Sequence, residues 1–124
     1  MGTRRMNNQV LEVCDDTGAV ILSMAEELRD GVLCMALAGQ LKNEAAHEFE
    51  DELMAALSVC GRLSLDFQDV TYIASMALRS LLSVQQMIDE MDGANMVLQR
   101  IQPAVMEVFQ TSGLSEILQI ESGG

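Results

Sequence analysis

Ser75 is the residue whose type and setting point most directly to chemistry. It follows an apolar step, Tyr72-Ile73-Ala74, and precedes an amphipathic run that opens Met76-Ala77-Leu78-Arg79. That order predicts a strand, a loop from Asp66 to Ile73 holding a polar turn and the apolar step, and then a helix with Ser75 at its N-cap or in its first turn. A serine there caps the helix for about 1 kcal/mol, and that structural role needs no function. The same place also suits an anion. First-turn amides lack intrahelical acceptors, and the helix dipole is positive at that end. A phosphate on Ser75 would add about −1.5 to −2 charge among those donors. Arg79, one helical turn further on, is spaced to pair with it.

Other chemistries find less support. The one histidine, His47, sits among acidic residues on a predicted helix, so no Ser-His-Asp or Cys-His arrangement assembles around it. Cys14, Cys34 and Cys60 are an odd number at irregular spacing, without a C-x-x-C pair. They read as reduced, mostly buried thiols, not as a zinc or redox centre. Neither a Walker A motif nor G-x-G-x-x-G occurs. The expectation is a protein that is not an enzyme and carries no cofactor or metal.

The chain has 124 residues, enough for one domain, and 49% of them are apolar. Aromatics make up only 3% against ten methionines, so the core must be built from aliphatic and thioether groups. A formal charge of −12 with a single lysine, Lys42, leaves no basic track for nucleic acid and no attraction to an anionic membrane. It favours a basic partner, or simply a well-solvated surface. Charges interrupt every apolar stretch before it could span a bilayer. The start, through Met6, has no apolar run of signal-peptide length. A cytoplasmic protein without membrane insertion is expected.

Residues 1–8 read as a flexible leader, 9–121 as a single domain and 122–124 as a flexible tail. Val20-Ile21-Leu22 and Val32 to Leu37 are predicted strands joined by Asp30-Gly31, a strong hairpin signal. Ser23-Met24-Ala25-Glu26 also fits a helix capping box, but too few residues remain before Asp30 for a stable helix. Val10 to Val13 reads as an additional edge strand. Asn43 is placed to cap a helix from Glu44 to about Val59. Its inward stripe is Ala46, Phe49, Leu53, Ala56, Leu57 and Cys60, with Glu44, Glu48, Asp51 and Glu52 on the solvated face. Arg62 to Phe67 is the next strand. A second helix runs from about Met76 to Met91, with Leu78, Leu81, Ile88 and Met91 inward and Gly93 as C′ residue. Met96 to Leu98 is a strand. Pro103 opens a third helix bearing Val105, Val108 and Phe109 and ending at Gly113. Ile117 to Ile120 is the last strand. Helices alternating with strands imply right-handed crossovers and a mainly parallel sheet.

The run from Leu63 to Leu82 resembles the signature of STAS domains, specifically of the bacterial anti-sigma-factor antagonists. Leu65-Asp66 matches the family's strand end, Tyr72-Ile73 its apolar step, Ser75 its phosphorylatable serine and Leu78-Arg79 its helix start. Leu37-Ala38-Gly39-Gln40-Leu41 is similar to the family's Leu-Ser-Gly-Arg-Leu, and Ser112-Gly113-Leu114 to its Thr-Gly-Leu. Order and spacing agree from about residue 19 to 120. The resemblance implies a small α/β STAS-like fold, with a mixed sheet of about four to six strands and an N-terminal hairpin before alternating helices and strands. It also implies an anti-sigma-factor antagonist. Such a protein binds an anti-sigma factor that is also a serine-threonine kinase, loses that binding when its serine is phosphorylated, and is restored by a phosphatase. The partner surface would comprise Asp66, Tyr72, Ala74, Ser75, Met76, Leu78 and Arg79. Ala74 stands where many members have Asp or Ser, and Met76-Ala77 where they have Ser/Ala-Gly. Those departures keep open a non-phosphorylated scaffold subunit of a signalling or lipid-transport complex. A nucleotide-binding protein is the alternative of another class.

Overall fold

The fold is built by strands that add to one sheet in the order in which they occur in the chain. The structure, a computed structural model, describes residues 2–5 and 10–121. Positions 1 and 6–8 of the expected leader and the expected tail at 122–124 lie outside the described residues. The strands are β1 (Gly2–Arg5), β2 (Val10–Cys14), β3 (Val20–Arg29), β4 (Val32–Leu41), β5 (Arg62–Ile73), β6 (Asn95–Gln99) and β7 (Gln119–Glu121). Neighbours from β1 to β4 are antiparallel, and those from β4 to β7 are parallel. Helices α1 (Asn43–Val59), α2 (Ser75–Asp89) and α3 (Pro103–Ser112) make the three crossovers, and a 3-10 turn at Leu114–Glu116 leads into β7. This is the expected mixed α/β architecture, and β2 to β7 are its six expected strands. Gly2–Arg5, within the segment read as a leader, adds a seventh along β2.

Local chemistry explains most element ends. Asp30 and Gly31 adopt φ of 53° and 80°, the pair of left-handed residues that suits a two-residue hairpin between twisted strands. Ser23 to Glu26 lies inside β3, so the strand prevails over the capping box. Pro103 is in the first turn of α3, and Gly113, at φ 83°, ends it in the left-handed conformation.

Each parallel crossover advances one strand in the same direction, so right-handed connections place all three helices on one face. Burial alternates accordingly. Leu22, Met24, Leu33, Met35, Leu37, Leu63, Leu65 and Phe67 join Phe49, Leu53, Leu81, Val84 and Phe109 in one core. Cys34, Ala36 and Ser64, between them, keep contact with solvent. Phe67 and Phe109 meet edge to face with centroids 5.9 Å apart, which fastens α3 to β5. Such a pair contributes about 0.5–1.5 kcal/mol beyond its burial.

The structure corrects several expectations. Glu52, expected on the solvated face of α1, is buried. The inward arc of that helix is wider than a single stripe and takes in Ala45 and Glu52 as well as Phe49 and Leu53. Cys60 is only half-buried, and its thiol lies within hydrogen-bonding distance of the carbonyls of Gly31 and Arg62. Met91, expected inward, is exposed because α2 ends at Asp89 with Glu90 as C-cap; Gly93 lies in the turn beyond and is not its C′ residue. Ala77, Ser80 and Val84 complete the buried face of α2 instead. The last strand begins at Gln119, two residues later than expected, since the 3-10 turn and Leu118 come first.

Candidate functional site

β5 delivers the site by running further than expected. The loop predicted from Asp66 to Ile73 is instead part of the strand, which passes through it with two irregularities. β4 pairs Ala36 with Asp66 but Ala38 with Asp69, and Gly39 with Val70 but Gln40 with Tyr72. Each gives β5 one extra residue, the mark of a bulge. Asp66 holds the first: its Oδ1 accepts the Gln68 N–H at 2.9 Å, and its carboxylate grips the Arg100 guanidinium. Asp66 is therefore a mid-strand residue and not the strand-end residue expected. It lines a separate hollow of about 540 Å³ with Cys34, Ala36, Ser64 and Gln99.

Gly39 fixes the path of β4 toward the site. Its φ is 116°, and a Cβ there would lie 2.4 Å from the Ile21 carbonyl oxygen. Only glycine combines that conformation with so close an approach. Two residues on, the Leu41 carbonyl accepts the Ala74 N–H at 2.8 Å. This bond joins the ends of β4 and β5, so α1 and α2 begin side by side.

Neither helix start is capped by its own N-cap residue. Lys42 precedes α1 and Ala74 precedes α2, both extended, and neither side chain bonds a first-turn amide. Asn43, expected to cap α1, is the first residue of that helix instead. Its Oδ1 accepts the Met76 N–H at 3.3 Å, so α1 supplies the acceptor that α2 lacks. Ser75 is the first residue of α2 and is exposed, and the N-cap Ala74 offers no side-chain acceptor of its own. The capping role that sequence allowed Ser75 is thus not exercised. Ser80, one turn deeper, is buried and donates to the carbonyls of Ala46 and Met76, both at 3.1 Å.

The expected site residues divide into three groups. Tyr72, Ser75, Met76 and Arg79 are exposed around the start of α2. Arg79 has no ion-pair partner among the described residues. Ala74 is buried and Leu78 half-buried, so they support that surface from beneath. Asp66 stands apart in its pair with Arg100. Sequence reasoning missed the neighbours contributed by the other helix start. Gln40, Lys42, Asn43, Glu44 and Thr71 line a hollow of about 440 Å³ with Tyr72 and Ala74. Their position follows from the pairing of β4 with β5, which no local pattern in the chain reports.

The profile of the STAS domain family matches residues 23–123. A relative from Bordetella bronchiseptica, bearing the name anti-sigma factor antagonist BtrV, is 34% identical over 92 residues, which are 73% of this chain and 78% of the relative. Among solved structures, an anti-sigma factor antagonist from Mycobacterium paratuberculosis superposes with a TM-score of 0.71 at 18% identity, covering 90% of this chain and 92% of that one. The anti-sigma factor antagonist SpoIIAA, in its unphosphorylated form, gives 0.66 at 18% identity over 80% and 88% of the two chains. A structure of Bacillus SpoIIAA in the phosphorylated form gives 0.61 at 17% identity over 80% and 91%. At these identities the solved structures speak for the fold.

Proposed function

The chain belongs to the STAS domain family, among the anti-sigma-factor antagonists, and on that premise we propose that it is a regulatory binding protein switched by phosphorylation of Ser75. Unmodified, it binds an anti-sigma factor that is also a serine-threonine kinase, and so frees a sigma factor. In the switching step the Ser75 oxygen attacks the γ-phosphorus of a nucleoside triphosphate held by that kinase. An O–P bond forms, the bridging P–O bond breaks with its electron pair leaving on the diphosphate, and a base of the kinase takes the hydroxyl proton. A phosphatase reverses the state by hydrolysis. The protein is the substrate in this cycle and supplies no catalytic group.

One observation carries the reading: the Ser75 hydroxyl is exposed at the first position of α2 and does not serve as a helix cap. The amides of that turn and Arg79 would receive a dianion there. Tyr72 and Met76, each about half exposed, give the surrounding surface the apolar area an interface needs. A phosphate set among them must be desolvated for the partner to dock, which weakens the complex. The test is incubation with the anti-sigma-factor kinase and ATP, followed by mapping of phosphate by mass spectrometry. Stoichiometric modification at Ser75 alone is expected. An unmodified Ser75 beside a phosphorylated control substrate contradicts the switch.

A second reading, a scaffold subunit that is never phosphorylated, draws on the half-exposed Met76 immediately after Ser75. It would put a bulky thioether in the path of a kinase. The same mapping experiment separates the two.

A further inference from the structure

The first turn of α2 depends on a residue from another helix. Ala74, its N-cap, has no side-chain acceptor, and the Met76 N–H is met by Asn43 Oδ1 from 33 residues away. A carboxamide has two unlike ends: the oxygen accepts and the NH₂ donates. Only the oxygen can serve the Met76 amide. A phosphoryl group on Ser75 would bring strong acceptors and negative charge to that same amide, and Asn43 Oδ1 would then face an anion. Half a turn of the carboxamide removes the repulsion and directs Nδ2–H₂ at the phosphate. Neither helix needs to move. The bond from Ala74 N–H to Leu41 O and the bond from the buried Ser80 hydroxyl to Ala46 O hold the helix starts together.

We propose that Asn43 is a positioning residue that senses the state of Ser75: it caps α2 while the hydroxyl is free, and on phosphorylation it yields the Met76 amide and donates to the phosphate. The inference rests on the reading of Ser75 as phosphoacceptor. It goes beyond that reading by making the start of α1 part of the switch. The hollow around Asn43, lined by Gln40, Lys42, Glu44, Thr71 and Tyr72, is the surface that would change with it. Asn43 itself is exposed, so a partner docking there meets an acceptor in one state and a donor in the other.

The phosphate is installed without a kinase. Phosphoserine is incorporated at position 75 during synthesis, and its ionisation is followed by ³¹P NMR in the parent protein and in N43D and N43A. Free phosphoserine titrates at about 6. A donating Asn43 stabilises the dianion, so the parent should titrate lower than both variants. N43D, which keeps an acceptor for Met76 but cannot donate and adds like charge, should titrate highest, about one unit above the parent. Charged groups on the adjoining elements, namely Lys42, Glu44 and His47 on α1 and Arg79 on α2, are the same in all three proteins and cancel from the comparison, as does the phenol of Tyr72 on β5. The Asn43 side-chain NH₂ resonances should also shift on phosphorylation. Equal titrations in parent and N43A, or unmoved NH₂ resonances, overturn the inference. N43D titrates higher through its charge alone, so should N43A be unstable the NH₂ resonances of the parent, with and without the phosphate, decide the inference. Partner affinity separates the two ideas. Binding indifferent to phosphoserine 75 contradicts the switch itself, whereas equal titrations with phosphate-sensitive binding contradict only the role of Asn43.

Discussion

The Ser75 hydroxyl is one that the fold does not use as a helix cap. Ser75 opens α2 without capping it, so Ser75→Ala should change stability by less than about 0.5 kcal/mol, as measured by urea unfolding. A loss near 1 kcal/mol, typical of a removed cap, would show that the hydroxyl has a structural role after all. Gly39 is the opposite case. Its φ of 116° and the close approach of the Ile21 carbonyl leave no room for a side chain, so Gly39→Ala should cost about 2–4 kcal/mol. An unchanged unfolding midpoint would contradict that geometry. Sequence located Ser75 to within one position because strand, apolar step and helix periodicity converge on it. It misassigned Asn43, since a capping pattern reports only the helix that follows and never a helix 33 residues away. Asp66 was displaced for a related reason: Gln68-Asp69 has turn chemistry, yet a bulge held by Asp66 carries the strand through it.

At the scale of elements, the turn between β2 and β3 supplies a pH-dependent contribution. Asp15 accepts the Thr17 hydroxyl at 2.6 Å, the Thr17 N–H at 2.9 Å and the Ala19 N–H at 3.1 Å. The Thr17 hydroxyl above all, then the backbone bonds, hold its carboxyl below the ordinary value of 3.8. Because the folded value lies below the unfolded one, the stabilisation is fully present above about pH 4 and fades as pH falls through the lowered folded value. Asp15→Asn should therefore destabilise the protein at pH 7, and its deficit should shrink on acidification below pH 4. A deficit that stays constant with pH, followed by denaturant unfolding, would contradict the assignment. Helix and strand identities were legible from periodicity, and Pro103 and Gly113 marked α3 correctly. The buried Glu52 was not legible. Helix periodicity gives the centre of the inward arc, while its width depends on how many neighbours the helix rests against.

At the scale of the whole molecule, the order of elements largely determined the fold. A hairpin followed by strand-helix alternation admits few arrangements once crossovers are right-handed, and the sheet in simple sequence order is among them. β1 escaped because its four residues carry no alternating apolar pattern. The net charge of −12 bears on association more than on fold, and it favours a partner with a basic docking surface. In the proposed switch, one phosphate at the start of α2 decides whether that docking occurs. Calorimetric titration of the anti-sigma-factor kinase, without nucleotide, into unmodified protein and into protein carrying phosphoserine at position 75 measures the effect. Tight binding to the first is expected, with affinity at least a hundredfold weaker for the second, about 2.8 kcal/mol. Equal affinities for the two forms would contradict it.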